Sequence, residues 1–139
     1  GDGIYAQRFN TITTVGIEFR VNTETNESQV NPSVATDTDG NFVVVWQSRS
    51  QDGSGDGIFA QRFNTTTTVG TEFRVNTFTS NDQSNPSVAM DADGDFVVVW
   101  QGRSQDGSYD GVFAQRFNTS TTVGTEFRVN TETSHNQRV

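Results

Sequence analysis

Cysteine and lysine are both absent from this 139-residue chain. Without thiols there are no disulfide staples and no thiolate metal sites, and the absence says little about compartment. The nine basic side chains are all arginine and face seventeen acidic ones, for a formal charge of −8 and a pI near 4.4. That balance argues against nucleic acid, whose phosphates need a basic face, and against insertion at an anionic membrane surface. Histidine occurs once, at His135, and no Gly-x-Ser-x-Gly or histidine-rich metal motif is present. The usual nucleophile and base pairings are therefore missing, and the expectation is a protein that is not an enzyme. Neither a signal peptide nor an apolar run of membrane-spanning length is visible. Hydrophobic residues make up only 31% of the chain, yet they are gathered in short runs, which speaks against disorder.

Those runs recur. Asn31–Ser54 and Asn85–Ser108 differ only at Thr36/Met90, Thr38/Ala92, Asn41/Asp95 and Ser48/Gly102. The second half of the unit occurs three times, starting at Gly1, Gly55 and Tyr109. A fixed period of this kind marks a propeller, solenoid or array. The organisation expected is residues 1–30 as the C-terminal half of a repeat plus connector, 31–84 as a full repeat, and 85–139 as a full repeat plus connector. The chain reads as a segment of a longer repetitive protein.

Within the unit four strands are expected. Ile4–Phe9 alternates, with Ile4, Ala6 and Arg8 on one side and Tyr5, Gln7 and Phe9 on the other. Asn10–Gly16 reads as a turn or short loop before a strand at Ile17–Val21, and Thr23–Val30 as a polar, variable connector. Pro32 is expected to hold Asn31 extended at the start of the strand Ser33–Thr36. After a tight turn at Asp37–Gly40, Phe42–Trp46 is a continuous β-branched run of the sort covered on both faces. No segment has a helical period. The fold class is all-β, a repeat protein of four-stranded antiparallel units, most simply β-propeller blades, about two and a half of them. A linear β-solenoid or a string of small β-sandwiches has the same strands. One blade alone could not bury both faces, so self-association with other repeats or copies is expected.

Over PSVATDTDGNFVVVWQSRSQDGSGDGIFAQRFN the chain resembles the repeats of large secreted bacterial surface proteins associated with calcium-binding modules of the RTX type, a likeness covering essentially the whole sequence. The resemblance implies β-propeller repeats, an extracellular or cell-surface location, and D-x-D-G turns similar in outline to calcium loops of integrin-type propellers.

The candidate metal ligands are Asp37, Asp39 and Asn41, with Asp91, Asp93 and Asp95 in the next copy, where hard oxygens stand two residues apart on a glycine turn. The same residues also serve simply as hairpin turn formers. A second set, Asp52 and Asp56 with Asp106 and Asp110, lies in glycine-rich loops able to curl round an ion or merely to be flexible. Calcium is the cofactor considered. Arg8, Arg62 and Arg116, and Arg20, Arg74 and Arg128, are expected to pair with carboxylates of a neighbouring blade, with recognition of an acidic sugar as the alternative. Trp46 and Trp100 read as core or as sugar-stacking platforms. Asn26, Asn64 and Asn118 fit the N-glycosylation pattern. The functional expectation is a non-enzymatic extracellular structural or adhesive repeat, possible as a filament- or assembly-forming and calcium-stabilised element. The alternative is a carbohydrate-binding, lectin-like propeller with glycans as partners.

Overall fold

The computed structural model describes residues 1–107 and 109–139; Ser108, in the second glycine-rich loop, lies outside them. Among the described residues there are ten strands and no helix. β1 (Tyr5–Phe9) and β2 (Thr14–Arg20) form a two-stranded sheet. β3 (Gln29–Thr36), β4 (Phe42–Arg49), β5 (Asp56–Phe63) and β6 (Thr68–Arg74) form the middle sheet. β7 (Gln83–Met90), β8 (Phe96–Arg103), β9 (Asp110–Phe117) and β10 (Thr122–Arg128) form the last. Every pairing is antiparallel between sequence neighbours, so each sheet is a meander. The four-stranded unit expected from the repeat is therefore present twice in full.

The sheets stack face to face, because the two sides of each central strand carry different apolar sets. Phe42, Val44 and Trp46 of β4, with Phe59 and Phe63 of β5, pack against Ile4, Ala6, Phe19 and Val21 of the first sheet region. Val43, Val45, Ile58 and Ala60 point the other way, onto Phe96, Val98, Trp100, Phe113 and Phe117 of the last sheet. That double cover is why β4 needs an unbroken apolar run. β8 repeats the same five residues but alternates buried and half-buried, since no sheet lies over its far side. Val97 and Val99, the equivalents of Val43 and Val45, stand on that far side.

Three local features depart from expectation. β2 begins at Thr14 rather than Ile17, because the turn is confined to Asn10–Thr13: Asn10 N donates to Thr13 O at 3.0 Å, and Asn10 Oδ1 accepts from the N–H groups of Ile12 and Thr13, each at 2.8 Å. Gly16, at φ 74°, then lies in a bulge that shifts the register between Ala6 and Arg8. Thirdly, Asn31 is not extended: its φ is 54°, it lies within a second irregularity between Val30 and Ser33, and β3 starts earlier, at Gln29. Asparagine tolerates that left-handed geometry better than most residues, and Asn31 Nδ2 donates to Gln47 Oε1 at 3.0 Å. Asn85 repeats the conformation at φ 52°.

Candidate functional site

The aspartate turns show where their carboxylates point. Asp37 Oδ1 accepts from the N–H groups of Asp39 and Asn41, both at 2.9 Å, and Oδ2 accepts from Asn41 Nδ2 at 2.8 Å. Asn41's amide is the main reason the Asp37 carboxyl is held below the usual carboxylate range, with backbone N–H donors adding to it. Asp91 Oδ1 likewise takes the N–H groups of Asp93 and Asp95, both at 3.0 Å. Asp39, Asp93 and Asp95 are exposed and turned outward.

The glycine-rich loops use their acids similarly. Asp52 accepts from Ser54 N at 3.2 Å and from Asn76 Nδ2 at 3.3 Å. Asp56 Oδ2 accepts from Gln47 Nε2 at 2.7 Å and Asp110 Oδ2 from Gln101 Nε2 at 2.8 Å. Asp106 is nearly buried and lies 3.7 Å from Arg128 Nη1. Calcium needs about six to eight oxygens converging on one point. Among the described residues no group of three His, Cys, Asp or Glu side chains is placed to hold a metal ion, and Asp37 and Asp91 each use Oδ1 to accept N–H groups of their own turns.

Arg8 and Arg62 stack on rings instead of pairing with carboxylates. The Arg62 guanidinium lies 4.7 Å from the Phe73 ring centroid and 5.2 Å from that of Phe96 across the sheet boundary, while Nη2 donates to Asn118 O at 3.3 Å. Arg8 stands likewise between Phe19 and Phe42 and donates to Asn64 O at 3.4 Å. Burial lowers the Arg62 pKa. Arg116, at the uncovered end, has the ring of its own sheet's Phe127 at 4.9 Å. In the outer strands, Arg74 Nε donates to Asn76 O at 2.9 Å and Arg128 pairs within its own sheet. Trp46 and Trp100 are fully buried, which makes them core rather than platforms. Asn64 and Asn118 cap hairpin turns through Oδ1, and Asn26 is exposed in the connector.

One constellation escaped the sequence reading. Asn22 and Asn76 are buried just past the outer strands. Asn76 Oδ1 accepts from Ile58 N at 2.7 Å, and its Nδ2 donates to Gln83 Oε1 at 3.1 Å and to Phe78 O at 2.8 Å. Asn22 repeats this with Ile4 N at 2.8 Å and Gln29 Oε1 at 2.9 Å. The pair clamps the connector to the sheet it leaves. Its signal was an Asn and a Gln seven residues apart in all three copies, with only Thr23 and Thr25 and their equivalents also unchanged between them.

The remaining features are open surfaces. At one end, Tyr5 is 58% and Phe9 70% exposed, although their equivalents Phe59, Phe63, Phe113 and Phe117 are core. Beside them a groove of about 710 Å³ runs between β1 and the uncovered part of β3 and β4, with Ala6, Arg8, Pro32, Val34, Phe42 and Val44 in its walls. At the other end, Val97, Arg116 and Val123 border a shallower hollow of about 420 Å³. The connectors carry a polar cleft of about 440 Å³ between Asp82, Arg103, Tyr109, Asp110 and Asn136.

These surfaces define an all-β protein of repeated four-stranded antiparallel sheets stacked through their faces. No family model and no curated protein matches the chain.

Proposed function

We propose that the chain is a non-enzymatic structural or adhesive repeat that works by stacking its sheets against further sheets of the same kind, as the blades of a β-propeller or the units of a filament. One observation carries the reading. The face-to-face contact made between the first and second sheets, and again between the second and third, leaves Tyr5 and Phe9 exposed on one side, where their equivalents are core, and Val97 and Val99 half-buried on the other, where Val43 and Val45 are enclosed. An element with two complementary, non-identical faces adds units head to tail, giving rings where the rotation closes and filaments where it does not. Four antiparallel strands in a 54-residue repeat suit a propeller blade. The repeat resemblance supports an extracellular or cell-surface setting. Against catalysis stands the engagement of the recurrent acids in their own turns, and the position of His135 on an exposed connector, its Nδ1 3.0 Å from Ser134 Oγ.

Light scattering across a concentration series, followed by electron microscopy of the same sample, tests this. Rings with a whole number of repeats, or filaments, are expected. A monodisperse monomer at every concentration refutes stacking between chains.

A second reading, glycan binding, is favoured by the polar cleft. The exposed Tyr109 ring stands there among carboxylate, amide and guanidinium groups, the combination that stacks on a sugar face and takes its hydroxyls. Binding on a glycan array that disappears with Tyr109→Ala supports it; silence across the array removes it.

A further inference from the structure

Two of the differences between the near-identical copies meet at one hollow, in the seam between the second and third sheets. Both of its walls belong to complete four-stranded units. The hollow, of about 590 Å³, lies between the connector after β6 and the strands β9 and β10, with Phe78, Gln105, Phe113, Thr122, Thr125 and Glu126 around it. That volume is within the range of about 300–1,000 Å³ usual for small-molecule sites. The connector is fastened over it at two points. Thr77 donates to Glu126 Oε2 from its N–H at 2.7 Å and from its hydroxyl at 3.0 Å, and Phe78 O accepts from Asn76 Nδ2 at 2.8 Å. Phe78 is half-buried, and the backbone that carries its ring is thus fixed in advance of any ligand.

At the seam before, the same wall recurs as Gln51, Phe59, Thr68, Thr71 and Glu72, and Thr23 makes the same two bonds to Glu72 Oε2, at 2.7 and 3.1 Å. Two residues differ. Glu24 stands in place of Phe78 and turns its carboxylate back to the N–H groups of Thr25 and Asn26, each at 2.8 Å. Ser48 stands in place of Gly102, and its hydroxyl donates to Gln51 Oε1 at 2.6 Å. Gly102 has no hydroxyl to give, and Gln105 Oε1 is left beneath the surface with no hydrogen-bond partner among the described residues. An acceptor in that state is unfavourable, and a ligand hydroxyl relieves it. The two changes therefore act together, one adding an aromatic face and the other freeing an acceptor.

We propose that this hollow binds a neutral saccharide. One sugar ring lays its C–H face on Phe78, its hydroxyls donate to Gln105 Oε1 and to the Glu126 carboxylate, and the Thr122 and Thr125 hydroxyls bond the remainder. No basic side chain lines the hollow, and the carboxylate on its wall repels an anion, so acidic sugars are refused. The inference goes beyond stacking and does not depend on the Tyr109 cleft.

The test screens the whole chain on an array of neutral and acidic glycans, then titrates it with a captured neutral glycan by calorimetry. Binding of neutral glycans at one site per chain is expected. Phe78→Glu installs the residue that the other two connectors carry, Glu24 and Glu132, so melting should match the parent while affinity falls at least about tenfold. Glu24→Phe combined with Ser48→Gly rebuilds the hollow at the first seam and should raise the stoichiometry from one to two. That gain decides the matter even where Phe78→Glu disturbs the fold. Silence toward neutral glycans overturns the proposal, as does a stoichiometry that stays at one. Binding that Tyr109→Ala abolishes and Phe78→Glu leaves untouched overturns this site and keeps the cleft; the reverse result keeps this site and removes the cleft.

Discussion

Val45 and Val99 occupy the same place in two identical FVVVWQ strands, and the stacked architecture requires them to differ. Val45 has no exposed surface and is enclosed by the last sheet, while Val99 is half-buried on the side of β8 that no sheet covers. Val→Ala removes about two methylene equivalents, worth roughly 0.8 kcal/mol each when fully buried, and leaves a cavity whose walls relax only in part. Val45→Ala should therefore cost about 2–3 kcal/mol, and Val99→Ala about 1 kcal/mol or less. For a chain of this size each kcal/mol moves the melting temperature by roughly 3–4 °C, so losses of about 6–12 °C and at most about 4 °C are expected. The assay is thermal unfolding by far-ultraviolet circular dichroism at several protein concentrations. Equal losses that persist to the lowest concentration, where light scattering finds only monomer, would refute the covering of β4 by the last sheet. Equal losses that appear only as the protein associates would instead place Val99 inside an intermolecular copy of the same contact.

The amide clamp gives a further prediction. Asn76→Ala strands the Ile58 N–H and the Gln83 side-chain carbonyl in a buried site, so about 2–4 kcal/mol of stability should be lost, against a smaller loss for the half-buried Asn130→Ala; equal effects on urea midpoints would contradict it. Acid should weaken the Asp37 turn. Because the folded Asp37 pKa lies below its ordinary 3.8, its contribution is complete above that pH and disappears as pH falls through the lower folded value. Melting curves of the parent and Asp37→Asn should therefore converge as pH drops below 3.8, and a gap independent of pH would show that the charge contributes nothing. Since the turn carboxylates face N–H donors, melting in excess calcium and in chelator should agree within about 2 °C, and a larger rise with calcium would establish a site by mass action.

What could be read from the residues alone was whatever depends on local order. The strands at Ile4–Phe9 and Phe42–Trp46, the Asp-Gly turn and the two-sided burial of the valine run follow from periodicity and turn chemistry, and all are present in the fold. Asn31 misled because its left-handed backbone is stabilised by contacts made elsewhere: Gln47 sixteen residues on and Asn85 fifty-four residues on, neither part of the local preference of a residue before proline. The early start of β2 has a similar origin, since the bulge at Gly16 is supported by Gln7 Nε2, which donates to the carbonyls of Val15 at 3.3 Å and Gly16 at 3.5 Å across the hairpin. The aspartates that looked most like a site were the least informative, because a carboxylate that caps its own turn and one that binds a cation sit at the same spacing.

Arginine shows how that gap closes once the sheets are stacked. A repeated charge within an apolar strand suggests an ion pair, because nothing in a one-dimensional sequence says that a phenylalanine of the next repeat will lie above it. In the fold, Arg62 fills the seam between Phe73 of its own sheet and Phe96 of the next, a slot that suits a flat guanidinium and not the compact, strongly hydrated ammonium of lysine. At this seam, then, arginine rather than lysine is what stacking demands. Arg8 makes the same contact one sheet earlier, and Arg116 has only the ring of its own sheet because the stack ends there. The three arginines thus differ by how many sheets enclose them, not by anything in their own strands.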